Sequence, residues 1–342
     1  MKKLLAAFMI LLPLCQADAA KKPAEPEPAA ERIKAAKNGD AATQFALGED
    51  YRTGNGVPKD PVQGYKWIHQ AALGNLAVAE YTVGLMDQAG EGTPRKLTDA
   101  VEWFRKASRQ GHLPATLLLA DMLRHGEGAP IDLAAAAALY RAAADKNDVR
   151  SQLVLGELYV KGEGVSKNLN DAAVWFRRAA GLGSAEGRYR LALLLLDGDP
   201  ARKTGHRPSK NSREALYWLQ LAGEQGYAPA LYALGMTCWG GITQRYDASR
   251  AFIWIQEAGD RGYVPALRKL ANFYRQGKVV AKDPARALMY LELADQLSDS
   301  PFGGRLETQK GGEREALLRE LPAGSAQTAK KRAQEWLQTR GL

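Results

Sequence analysis

The sequence predicts an all-α chain, an α-solenoid of about seven antiparallel helix-pair repeats of 36 residues closed by helical caps. Three observations carry this expectation. A column of small residues recurs at a fixed step, an aromatic column keeps the same register, and glycines punctuate both at constant offsets. The composition agrees, with 46% hydrophobic and 25% charged residues in 342, which excludes a long disordered or collagen-like polymer.

At the N-terminus, Lys2 and Lys3 precede the apolar run Leu4 to Leu14, and Ala17-Asp18-Ala19 offers a small-x-small cleavage site. Residues 1–19 read as a signal peptide cleaved after Ala19, giving a periplasmic or secreted protein. A bacterial lipid anchor on Cys15 is disfavoured because Leu14 stands where a small side chain is needed. No other stretch reaches the roughly 18 uninterrupted apolar residues of a membrane helix. Once Cys15 is removed only Cys238 remains, so no intramolecular disulfide can form. Residues 20–28 are rich in proline and charge and read as a tether. Residues 29–39 look like a lone second helix of a repeat, since Ala35 and Gly39 sit one period before Ala71 and Asn75.

Residues 40–298 hold the seven repeats. The small column is Gly48, Gly84, Ala120, Gly156, Ala192, Gly235 and Ala271, with a step of 36 throughout except for one of 43. The aromatic column is Trp67, Trp103, Leu139, Trp175, Trp218, Trp254 and Tyr290, each followed four residues later by alanine. Small residues three and four positions from a large one share a helix face, which lets a second helix approach closely. The first helix of each unit, helix A, carries the small column, and the second, helix B, carries the aromatic one. Gly54, Gly90, Gly126, Gly162, Gly198, Gly241 and Gly277 end helix A. Asp60, Asp132, Asn168, Asn211, Asp247 and Asp283 stand as caps of helix B, with Lys96 the exception. Asn75, Gly111, Asn147, Gly183, Gly226 and Gly262 close helix B, and Pro114, Pro229 and Pro265 open the following helix A.

The pattern resembles the Sel-one-like repeat family of the tetratricopeptide-like superfamily, and unit one reads FALGEDYRTGNGVPKDPVQGYKWIHQAALGN. The third unit departs with Leu139 in the aromatic column, and the fifth loses its second turn glycine to Pro200. The resemblance implies a right-handed superhelix that recruits proteins or peptides along the side lined by its A helices, without a cofactor. After residue 298 the repeat ends, and residues 299–342 read as a C-terminal cap of two helices whose apolar face includes Leu317, Leu318, Leu321, Ala333, Trp336 and Leu337.

Chemical motifs are sparse. Each Gly-x-Gly string follows a helix, whereas a dinucleotide site needs a strand before its glycines, so these are turns. His69, His112, His125 and His206 show no metal-ligand spacing, and no nucleophile elbow is present. No catalytic, cofactor or metal residue is therefore expected. The net charge of +9 is interleaved with acids, unlike a nucleic-acid arm, and nucleic acid is excluded as a partner. The tryptophans are spaced as core residues and not as a sugar-stacking platform.

Partner-binding candidates lie on the helix A face beside the small column, namely Glu49, Asp121, Glu157, Arg190 and Lys269, with acids early and bases late. A further set, Arg202, Lys203, Arg207 and Lys210, sits in a seven-residue insertion within 198–211. Insertions in solenoids map to loops that often bind. The expected function is an exported, non-catalytic scaffold or adaptor for protein partners in envelope assembly, secretion or signalling. An anionic envelope polymer is a second candidate ligand of the basic insertion. The alternative reading is a carbohydrate-directed module or hydrolase acting on peptidoglycan or an anionic polysaccharide.

Overall fold

A computed structural model describes residues 29–197, 210–240, 247–298, 312–322 and 324–340. Among them the secondary structure is helical throughout, in seventeen helices. The chain divides into two compact units, residues 1–112 and 113–342.

The first unit contains α1 (Ala29–Lys37), α2 (Ala41–Thr53), α3 (Pro61–Leu73), α4 (Ala77–Ala89) and α5 (Leu97–Arg109). The second contains α6 (Leu113–His125), α7 (Leu133–Ala144), α8 (Val149–Lys161), α9 (Leu169–Gly181), α10 (Ala185–Asp197), α11 (Lys210–Glu224), α12 (Ala228–Gly240), α13 (Ala248–Asp260), α14 (Val264–Gln276), α15 (Pro284–Leu297), α16 (Gly312–Glu320) and α17 (Ser325–Arg340). Even-numbered helices from α2 to α14 are the A helices, and each packs on the B helix that follows it.

Glycine in the small column has a steric cause. A Cβ added at Gly156 would lie 2.4 Å from the Phe176 ring, at Gly84 2.6 Å from Phe104, and at Gly48 2.4 Å from Ile68. The residues that fill this space, Ile68, Phe104, Tyr140, Phe176, Leu219, Ile255 and Leu291, each follow the aromatic column by one position, and all are buried. They form the deepest layer of each helix pair. The tryptophans themselves sit at its margin: Trp103 and Trp175 are buried, while Trp67, Trp218 and Trp254 are only half-buried. The cations of Lys106 and Arg178 cover the faces of Trp103 and Trp175 at 3.9 and 4.6 Å.

One backbone hydrogen bond closes the turn of nearly every unit. The N–H of Asp60 donates to the Tyr51 carbonyl at 2.8 Å, and Lys96 to Asp87, Asp132 to Leu123, Asn168 to Tyr159, Asp247 to Cys238 and Asp283 to Tyr274 repeat it at 2.8 to 3.2 Å. Because this bond is main chain to main chain, Lys96 keeps it without a capping side chain. The side chains of Asp60, Asp132, Asn168, Asp247 and Asp283 accept first-turn N–H groups as expected. Asn211 does not belong with them: α11 starts at Lys210, so Asn211 lies inside its first turn. The second glycines Gly92 and Gly164 lie against the backbone of the preceding B helix, where a Cβ would meet the Pro61 and Leu133 carbonyl oxygens at 2.0 Å. Asn75 and Asn147 end their B helices at φ 61° and 65°, the left-handed region asparagine tolerates.

The ends repeat the same logic. Buried Gln44 donates through Nε2 to the Ala36 carbonyl at 3.1 Å, and Gln152 does the same to Ala144 at 3.1 Å, so α1 meets α2 as a B helix meets the next A helix. At the other end Leu317, Ala329 and Ala333 join the core of α14 and α15, with Leu321, Trp336 and Leu337 packed against it. Leu318 does not contribute, being 40% exposed. Arg314 pairs with buried Glu292 at 2.6 Å.

Candidate functional site

The helix A face is half-open, and its charged residues are held by neighbours. In the first unit Glu49 pairs with Arg52 at 2.9 Å, and Arg52 reaches the turn of the next repeat to meet Glu91 at 3.4 Å. The second unit repeats this register, with Arg124 at 3.6 Å from Glu163. Asp121 accepts the Tyr140 hydroxyl and pairs with Arg150 at 2.7 Å. Glu157 pairs with Arg190, which also holds Glu186 at 2.6 Å. Burial lowers the Arg190 pKa, but the Glu186 hydrogen bond and the charges of Glu157 and Glu186 outweigh it and leave the guanidinium above its ordinary value.

These pairings change the reading of the face. Each acid of the early column is met by an arginine, so the gradient in formal charge is not a gradient in unpaired charge. Arg52, Arg150 and Glu186 were the members that the column pattern did not pick out, since they lie three to four residues along a helix or at the start of the next A helix. The Glu49–Arg52 and Glu186–Arg190 pairs have i,i+3 and i,i+4 spacing that the sequence displays, whereas Asp121–Arg150 and Glu157–Arg190 join different helices.

Of the five face candidates, Glu157 and Arg190 share a depression. It lies between α8 and α10, measures about 280 Å³, and has an apolar floor of Val160, Phe176, Leu193 and Leu194 with Lys161 and Asp197 at its rim. Glu49 lies on α2 in the first unit. Lys269 lies on α14, its amine 4.8 Å above the Trp239 ring and 5.3 Å from that of Phe273, where burial lowers its pKa. Arg202, Lys203 and Arg207 lie outside the described residues, as does the side chain of Lys210.

Among the described residues no group of three or more His, Cys, Asp or Glu side chains is placed to hold a metal ion. None of the described helices is long and apolar enough to cross a membrane. Cys238 is half-buried, and burial raises its thiol pKa, the opposite of the activation a nucleophilic cysteine needs. His69 lies between Tyr65 and Trp103 at centroid distances of 5.7 and 5.3 Å, and burial lowers its pKa.

Among solved structures, a Sel1 repeat protein from Oxalobacter formigenes is 26% identical, with 80% of this chain and 78% of that one aligned at a TM-score of 0.63. A protective antigen of uropathogenic Escherichia coli with an SLR fold is 23% identical over 91% of this chain and 79% of its own, at a TM-score of 0.42. An immunity protein from Pseudomonas aeruginosa is 23% identical over 66% and 83%, at 0.41. No functionally curated protein matches the chain. The Sel1 repeat model matches residues 41–76, 77–112, 113–148, 149–184, 185–227, 228–263 and 264–295, and with seven contiguous repeats the chain belongs to the Sel1 repeat family.

Proposed function

We propose that this protein is an exported, non-catalytic scaffold that captures a protein or peptide partner on its A helices, in the bacterial envelope. Sel1 repeats generally mediate protein interactions. The observation that carries the reading here is the groove between α8 and α10. Leucine and valine side chains form its floor, and the Glu157–Arg190–Glu186 set borders it. An apolar floor supplies binding energy, and pre-paired charges at the rim supply direction without isolated desolvated ions. The signal-like segment of residues 1–19 supports an envelope location.

The test is affinity capture from an envelope extract with the wild-type chain and Leu193→Asp. Leu193 is 36% exposed, so the substitution leaves the core intact. The expected outcome is one protein retained by the wild type and reduced at least tenfold by the variant. Binding of purified peptidoglycan or acidic polysaccharide without a protein partner would instead favour the carbohydrate-directed reading.

A further inference from the structure

The helix B side of the second unit carries a feature that the helix A groove does not explain. Val174, Tyr217 and Ile253 occupy one register position in three successive repeats, immediately before the aromatic column, and are 47%, 55% and 61% exposed. The same position in the first three repeats holds Lys66, Glu102 and Ala138. Scattered exposed aliphatics are ordinary. Three in register on adjacent B helices are not scattered, and contiguous apolar surface marks contact sites.

The helices that bear them are joined side by side. Arg177 of α9 pairs with Glu214 of α11 at 2.8 Å. Between α11 and α13 a cleft of about 210 Å³ opens beside Ile253, lined by Leu216, Leu234, Cys238, Arg250 and Trp254. That volume is below the range of small-molecule sites, roughly 300–1,000 Å³, and suits one large apolar side chain.

Charge selects the occupant. Every residue of the row has an exposed arginine three or four positions away on its own helix face: Arg177 and Arg178 for Val174, Arg213 for Tyr217, and Arg250 for Ile253. Among the described side chains, the exposed charges on α9, α11 and α13 are these four arginines and one carboxylate, Glu224 at the end of α11. Arg177, Arg178 and Arg250 pair with Glu214, Asp145 and Asp247 at 2.8, 3.2 and 3.5 Å, and in the first and last of these pairs the arginine is the more exposed partner. Tryptophan and arginine lining one cleft, here Trp254 and Arg250, are the composition of a protein hot spot.

We infer that this surface docks an amphipathic segment of a protein partner, one that inserts a large apolar side chain between α11 and α13 and presents Asp or Glu to the arginines. A cleft shaped for one side chain favours a polypeptide over an anionic lipid surface, which would need no cleft.

The probe is a random twelve-residue peptide library selected against the intact protein, followed by affinity measurement on synthetic copies of the enriched peptides. The expected enrichment combines one aromatic or leucine residue with flanking acids. Binding should fall at least tenfold in the double variant Tyr217→Ser, Ile253→Ser, and its salt dependence should flatten in Arg213→Ser, Arg250→Ser. All four side chains are exposed, so the fold is retained, and circular dichroism verifies it. Peptides lost with Leu193→Asp but kept by Tyr217→Ser, Ile253→Ser belong to the helix A groove, which separates this inference from the proposed function. The inference is overturned if no selected peptide depends on Tyr217 and Ile253, if those that do lack acids, or if the double variant instead loses binding to phosphatidylglycerol vesicles.

Discussion

Asp87 stands where the equivalent residues are Tyr51, Leu123, Tyr159, Leu195, Cys238 and Tyr274, and its side chain has no exposure. Tyr65 donates its hydroxyl to Oδ1 at 3.0 Å, and Oδ2 has no hydrogen-bond partner. Burial raises the Asp87 pKa against the opposing Tyr65 bond; Asp99 adds to the rise, and Lys96 and His69 work against it. Burial and the Asp87 charge in turn push Tyr65 up to about 12. The sign of the linkage follows from the direction of the shift. A carboxyl whose folded pKa lies above its unfolded value of 3.8 costs stability when ionised, and that cost is relieved as pH falls through the folded pKa. Asp87→Asn removes the titration; burial of His69 acts in both proteins, and the attraction of the Asp87 charge for the protonated imidazole acts only in the wild type and in the same direction. The wild type should therefore gain stability relative to Asp87→Asn as pH is lowered from 7 towards 4, read from denaturant midpoints. A difference that stays flat, or grows in the other direction, would show that the carboxyl is not held against its ionised form. The sequence displayed this anomaly as one acid in an apolar and aromatic column, and only its burial gives the acid a physical meaning.

At the scale of the helix, the period, the pairing and nearly all terminators were legible, because each depends on local residue types. Glycine or asparagine at the left-handed position after helix B, and aspartate before helix B, need no tertiary information. One reading failed and another was incomplete, both for tertiary reasons. Asn211 follows the insertion, where the chain enters α11 two residues early. The tryptophan column is the visible landmark, yet the fully enclosed layer is one residue later, since large indoles are seldom wholly buried. That layer explains the small column, and it makes Gly156→Ala a strict test. The new methyl would lie 2.4 Å from a Phe176 ring that is 3% exposed and has little room to turn. The expected cost is about 1–3 kcal/mol, the usual penalty of overpacking a filled core. Phe176→Leu in the same background should recover part of it. Thermal and denaturant unfolding decide the matter, and an unchanged midpoint for Gly156→Ala would show that α8 and α9 can separate without loss.

Over the whole molecule, a one-dimensional pattern reveals what repeats and hides what joins one repeat to the next. Seven units could be counted from spacing alone. The ion pairs that tie Arg52 to Glu91 or Glu157 to Arg190 connect columns that spacing treats separately, and the groove between α8 and α10 exists only once the helices are packed. The chain also carries a single cysteine beyond residue 19, so whichever compartment it occupies, its stability must come from helix packing and not from cross-links. Export and redox indifference are therefore linked expectations. The basic start, the apolar run to Leu14 and the Ala17-Asp18-Ala19 site call for cleavage after Ala19, which discards Cys15 and leaves Cys238 with no partner in its own chain. N-terminal sequencing of the protein recovered from cells should read from Ala20, and its melting temperature should be the same with and without a thiol reductant. Recovery of an intact chain beginning at Met1 would defeat the export reading. A melting temperature that falls on reduction would show that Cys238 is cross-linked to another molecule and that packing within one chain is not the whole source of its stability.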